Sequence, residues 1–142
     1  MLIGVLLLIL QIGNFPKTKL NLIGTPVLVI GIGLIIGMCV LDFVFWSIRS
    51  PEFKSEVATH LINTPEIWTP FMEIGGKVFT FGLLMSSCNY FKQSKLGVIL
   101  ILIGTAVVYL PWGWDNILGY LFITVGFYIN FYRQSLSQNG LR

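Results

Sequence analysis

Four strongly apolar stretches, at 20–48, 71–91, 96–110 and 117–132, and a shorter one at 1–13, alternate with brief polar segments. A helix crossing a bilayer needs ~20 apolar residues, with ~17 a practical minimum. The stretch at 20–48 meets this with length to spare for tilt. The last two fall slightly short of that minimum, and Trp112 and Trp114 beyond them can carry the apolar band into an interface. The first stretch makes only ~20 Å of helix against a ~30 Å hydrocarbon core. It is not expected to be an independently stable span. The chain is expected either to extend this helix through Phe15 or to begin part-way along a longer one.

The separators carry turn chemistry. Asn14-Phe15-Pro16-Lys17 reads as a turn, since proline blocks helix continuation and disfavours the α region before it. Ser50-Pro51-Glu52 reads as a cap, a first-turn proline and an acid at a helix N-terminus. Phe53, Val57, Leu61 and Ile62 follow at helical spacing, predicting a short amphipathic helix at the outer surface. Thr64-Pro65 and Thr69-Pro70 are expected to turn the chain back, Lys92-Gln93-Ser94-Lys95 to make a tight basic loop, and 133–142 to fray. The expected fold is therefore all-α: a single polytopic transmembrane bundle over 1–142, with four firm spans, the short N-terminal helix and an extramembrane segment at 50–70.

Composition agrees. Charged residues make up 11% of the chain and mean hydropathy is +0.82. A soluble domain carries roughly 25% charged residues, so there is too little polar material here to cover a solvated surface. A net charge of +3, dispersed along the chain, excludes nucleic acid as an expected partner. The lipid bilayer is the expected one, with a membrane-protein partner or a homo-oligomer as further possibilities.

Lys17, Lys19, Lys92, Lys95, Arg133 and Arg142 fall on one side of the predicted spans, and Arg49 and Lys54 on the other. By the positive-inside rule the six-residue side is cytoplasmic. This predicts a multi-pass protein of the bacterial inner membrane with its C-terminus inside and its N-terminus outside.

Candidate chemistry is sparse. Asp42, Glu73 and Lys77 fall in the outer part of the apolar stretches. Such charges cost a few kcal/mol unless partnered or watered, and Glu73 precedes Lys77 by the four residues that share a helical face. They form either an outward-opening polar site or an interfacial ion pair, with Asp42 and Lys77 expected at similar depth. Gly33 and Gly37 make a small-xxx-small pattern suited to helix packing. The seven-residue spacings of Gly97/Gly104 and Gly119/Gly126 do not by themselves define a repeat. Ser86, Ser87, Cys88 and Asn89 cluster at the inner end of 71–91, where they can bond backbone carbonyls. His60 is the one histidine, and Cys39 and Cys88 lie too far apart along the predicted spans for a disulfide. No metal-ligand spacing, cofactor motif or catalytic constellation is present, so no cofactor and no enzyme activity are expected.

Leu96-Gly97 opening one helix, Pro111 closing it, Leu118-Gly119-Tyr120 opening the next and Gly126 within it are the positions by which the chain resembles the small uncharacterised multi-span membrane proteins of bacteria, of the domain-of-unknown-function type. The resemblance implies a helical, multi-span fold and specifies no substrate. Two roles follow as expectations: a non-enzymatic accessory or interaction subunit, or a transporter-like, small-solute-binding protein using the outward polar site.

Overall fold

The computed structural model describes residues 6, 8–10, 12, 13, 15, 18–110 and 115–138. Residues 6, 8–10 and 12 are helical and Gly13 and Phe15 are not, while 1–5, 7, 11, 14, 16 and 17, together with Trp112, Trp114 and Arg142, lie outside the described residues. Everything described is helix or connection, so the fold is all-α. In chain order the helices are α1 (Lys19–Ser47), α2 (Pro51–Ile62), α3 (Pro65–Trp68), α4 (Gly75–Ser87), α5 (Lys95–Tyr109) and α6 (Asp115–Gln138). Among the described residues one helix, α1, is long and apolar enough to cross a membrane.

Local chemistry sets the boundaries. Thr18 caps α1 by accepting from the Asn21 amide at 3.2 Å. Ser50 caps α2 by accepting from the Phe53 amide at 3.4 Å, with Pro51 behind it. Ser94 caps α5 through the Gly97 amide at 3.3 Å. Two boundaries differ from expectation. Thr69-Pro70 does not turn the chain back. The helix starts earlier, at Pro65, and runs through Thr69–Ile74 as a π-helical stretch before α4. Pro70 has no N–H to close the regular ladder, and the wider turn accommodates the loss. The tail expected to fray is helical as far as Gln138, because α6 continues beyond its apolar part.

The core consists of two antiparallel hairpins, α1 on α4 and α5 on α6. In the first, a methyl group on Gly31 would come within 2.5 Å of the Phe79 Cα, one on Gly82 within 2.6 Å of the Leu28 Cα, and one on Gly24 within 3.5 Å of the Ser86 amide nitrogen. These facing pairs add to the same residue sum, so the register is constant along the hairpin. In the second hairpin, a methyl on Gly104 would lie 2.5 Å from the Gly119 carbonyl oxygen and 2.9 Å from Ile123. One on Gly126 would lie 2.6 Å from the Gly97 carbonyl oxygen and from Ile101. Gly97 sits under the buried Asn130, and Gly119 under Val108.

The two hairpins therefore use one scheme. Each carries glycines seven residues apart on both helices: Gly24/Gly31 with Gly75/Gly82, and Gly97/Gly104 with Gly119/Gly126. Each layer sets a glycine against a larger residue, and the order of layers matches. Gly31 against Phe79 corresponds to Gly104 against Ile123, and Leu28 against Gly82 to Ile101 against Gly126. A seven-residue period keeps these positions on one seam of gently supercoiled helices. Thr80 and Thr124 also correspond. Each hydroxyl donates to the carbonyl four residues back, Gly76 at 3.0 Å and Tyr120 at 2.8 Å.

The hairpins are tied together at both ends. Phe131 on α6 stacks on Phe15 at 6.4 Å and meets the edge of Tyr90 at 5.9 Å. At the opposite end the Tyr109 hydroxyl donates to the Lys77 carbonyl at 2.9 Å.

The seams and the expected packing motif make opposite predictions for glycine-to-alanine changes. A methyl at Gly31 or Gly104 strikes backbone atoms and should destabilise the fold by about 1–3 kcal/mol, as overpacking does. Gly33 has nothing within 4 Å, so Gly33→Ala should be neutral or stabilising by up to ~1 kcal/mol through helix propensity. Thermal unfolding of the purified chain checks this. Equal losses at Gly33 and Gly104 would refute the assignment of the seams.

Candidate functional site

Asp42 is exposed on α1, Glu73 is exposed in the π-helical stretch, and Lys77 is exposed on α4. No ion pair or hydrogen bond joins their side chains. The register of the first hairpin explains why. Lys77 comes level with Gly33, so Asp42 lies nine residues farther along α1, about 13 Å away along the axis. The register does not give Asp42 and Lys77 the similar depth expected of them, and neither pairs directly with the other or with Glu73. Glu73 and Lys77 are also uncoupled. Glu73 sits in a wide turn, where a four-residue spacing no longer selects one α-helical face.

The Gly33–Gly37 motif is corrected in the same way. Gly33 is exposed and faces open space, and Gly37 lies beneath the ring of Phe71. The close helix contact runs instead through Gly24 and Gly31, on a different stripe of α1.

What the fold does assemble is a polar layer at the end where Lys19, Lys92 and Lys95 lie. The Thr18 hydroxyl donates to Asn89 Oδ1, and Asn89 Nδ2 donates to the Ser86 carbonyl at 3.1 Å. The Ser87 hydroxyl donates to the Leu84 carbonyl at 2.7 Å. These contacts latch the start of α1 to the end of α4. Ser87 and Asn89 thus bond backbone carbonyls as their sequence positions suggest. Ser86 Oγ, Tyr90 Oη and both amide atoms of Asn130 are buried with no partner among the described residues. Ser86 and Asn130 occupy corresponding positions in the two hairpins. Their burial was not foreseen, although the spacing of Asn130 from Gly126 and Gly119 carried the signal.

Other candidates stay apart. His60 is exposed on α2 and the lone-histidine reading is not extended by any neighbour. No group of three His, Cys, Asp or Glu side chains able to hold a metal occurs among the described residues. Cys39 is buried, Cys88 is exposed, and both are free thiols. Among the described residues the arrangement supplies helix packing and a latch.

Comparison with protein-family models, curated proteins and solved structures finds no match for this chain.

Because the register separates Asp42 and Lys77 by about 13 Å along the axis, their substitutions should act independently. The stability changes of Asp42→Asn and Lys77→Met should add to that of the double variant within about 0.5 kcal/mol. A coupling energy above ~1 kcal/mol in a thermal-stability cycle would show that the two charges do interact.

Proposed function

We propose that this chain is a polytopic integral membrane protein of the bacterial inner membrane, a non-enzymatic accessory or interaction subunit whose basic end and C-terminus are cytoplasmic. One observation supports the reading: the hairpins expose many large apolar side chains while several polar ones are buried within a largely apolar core. Trp46 is 87% exposed, Leu22 78%, and Ile117 and Tyr128 70% each. Ser86, Thr80 and Asn130 are fully buried. Exposed apolar surface of this extent belongs against lipid or protein. Only 28% of the most apolar stretch of α1 is buried within the chain, whereas the core helix of a soluble domain would be mostly covered.

The lengths are compatible with four crossings. Residues 65–90 form an almost continuous helix of ~39 Å, and α6 is ~36 Å long. At 15 residues α5 gives ~22 Å, and Lys95 at its start can snorkel to extend the effective span. The small multi-span bacterial proteins that the sequence resembles fit this architecture. The solute-binding alternative is less well supported. It needs Asp42, Glu73, Lys77 and Asn89 in mutual contact, and Asp42, Glu73 and Lys77 are each exposed.

The topology has a direct test. Lys92→Cys and Glu56→Cys, each in a Cys39→Ala/Cys88→Ala background, should label with an impermeant maleimide from opposite sides of the membrane. The exposed native Cys88 should label from the Lys92 side. Labelling of both engineered positions from one side would refute the four-span arrangement.

A further inference from the structure

Between the short N-terminal helix and the first turns of α1 lies a groove of about 700 Å³. That is the size range of small-molecule sites. Its walls are apolar at Ile12, Phe15, Leu22 and Pro26, and Lys19 and Thr25 also line it. Phe15 is buried and fixed by its stack on Phe131, so one wall is anchored to the second hairpin. Lys19 is exposed at the mouth, and Thr25 lies six residues farther along α1, ~9 Å deeper. Among the described residues no acidic side chain lines the groove. In sequence the neighbouring charges of this end, Lys17, Lys92 and Lys95, are all basic, and the first acid along the chain is Asp42.

We propose that this groove binds one anionic glycerophospholipid. The Lys19 ammonium would meet the phosphate, reaching along the groove towards the glycerol ester region that the Thr25 hydroxyl would hydrogen-bond, and an acyl chain would lie along Ile12, Leu22 and Pro26. Charge complementarity selects the head group. A lysine against an anionic phosphate near a membrane surface contributes about 1 kcal/mol, close to fivefold in affinity. The proposal rests on the membrane reading above.

The test uses the full chain expressed in bacterial membranes, solubilised in detergent and titrated with dioleoyl phosphatidylglycerol or dioleoyl phosphatidylcholine under native mass spectrometry. One phosphatidylglycerol should be retained in preference to phosphatidylcholine. Lys19→Gln should weaken phosphatidylglycerol retention about fivefold, and Thr25→Trp, which fills the groove, should weaken both lipids. Lys95→Gln, away from the groove, should change neither. Equal retention of the two lipids overturns the proposal, as does a loss in Lys95→Gln equal to that in Lys19→Gln. Competition by free glycerol phosphate would mean that the site takes a head group alone. A lipid-free dimer lost on Thr25→Trp would mean that a second copy covers the groove. A chain extracted from membranes by alkaline carbonate would instead sink the membrane reading itself. A carbonate-resistant chain with no lipid preference sinks only the groove.

Discussion

Backbone pressed on backbone at Gly104 and Gly119 is the contact on which the second hairpin depends, and Gly31 against Phe79 does the same for the first. A methyl on Gly104 would lie 2.5 Å from the Gly119 carbonyl oxygen, and one on Gly119 would lie 2.8 Å from the Gly104 carbonyl oxygen. Approach this close brings the Cα–H groups against carbonyls, a geometry that recurs at helix interfaces. It also multiplies dispersion contacts, each small and collectively large. On the proposed membrane reading this matters more than it would in water. Lipid tails are as apolar as leucine, so burial alone gives helices little reason to associate. Shape must supply the association, and alternating glycines with Leu28, Phe79, Ile101 and Ile123 supplies it in matched layers.

That scheme leaves the joint between hairpins as the softer part of the molecule. α4 and α5 share a smaller contact than either helix makes within its own hairpin. What holds them is concentrated at the ends: the aromatic group around Phe131, and the Tyr109 hydroxyl on the Lys77 carbonyl. The same Lys77 carbonyl also accepts from Thr80 at 3.1 Å. The backbone of residue 77 is thus a structural node, while its charged side chain points away from the interior. Sequence reading gave weight to the charge and missed the carbonyl, because a backbone acceptor carries no residue-specific signal.

Much of the fold was legible because apolar length and capping chemistry act locally. Ser50 with Pro51 marked α2, and the apolar run from 20 to 48 marked α1 within one residue at each end. The misreadings were of two kinds. Pro70 was taken as a terminator, but one missing N–H is absorbed by a wider turn when the helix on both sides is held by packing. The candidate site was misplaced because depth was counted along each stretch separately, and the register between helices is set by glycine seams that no single stretch reveals. Of the GxxxG, Gly37 packs under Phe71 while Gly33 faces open space, and the seam with α4 runs along a different stripe. The seven-residue spacings were visible, and became interpretable only when Gly24/Gly31 and Gly75/Gly82 joined the pairs in the second hairpin.

Correspondence between the hairpins isolates what is extra. The second hairpin connects its helices with the residues between Tyr109 and Asp115, a short link. The first connects equivalent helices with the much longer stretch between Ser47 and Pro65, which contains α2. Since the packing scheme closes without such a segment, α2 is not required by the core. It buries none of its residues in the rest of the chain, and Phe53 and Ile62 are each 54% exposed on it. Helices of this length gain most of their stability from a surface to lie against. With a capped N-terminus, apolar residues at helical spacing and no fully buried residue, α2 has the properties of an element held by something outside the chain. On the proposed reading that is the outer membrane surface or a neighbouring protein, which makes the segment between Ser47 and Pro65 the part of this molecule most plainly turned towards an interaction.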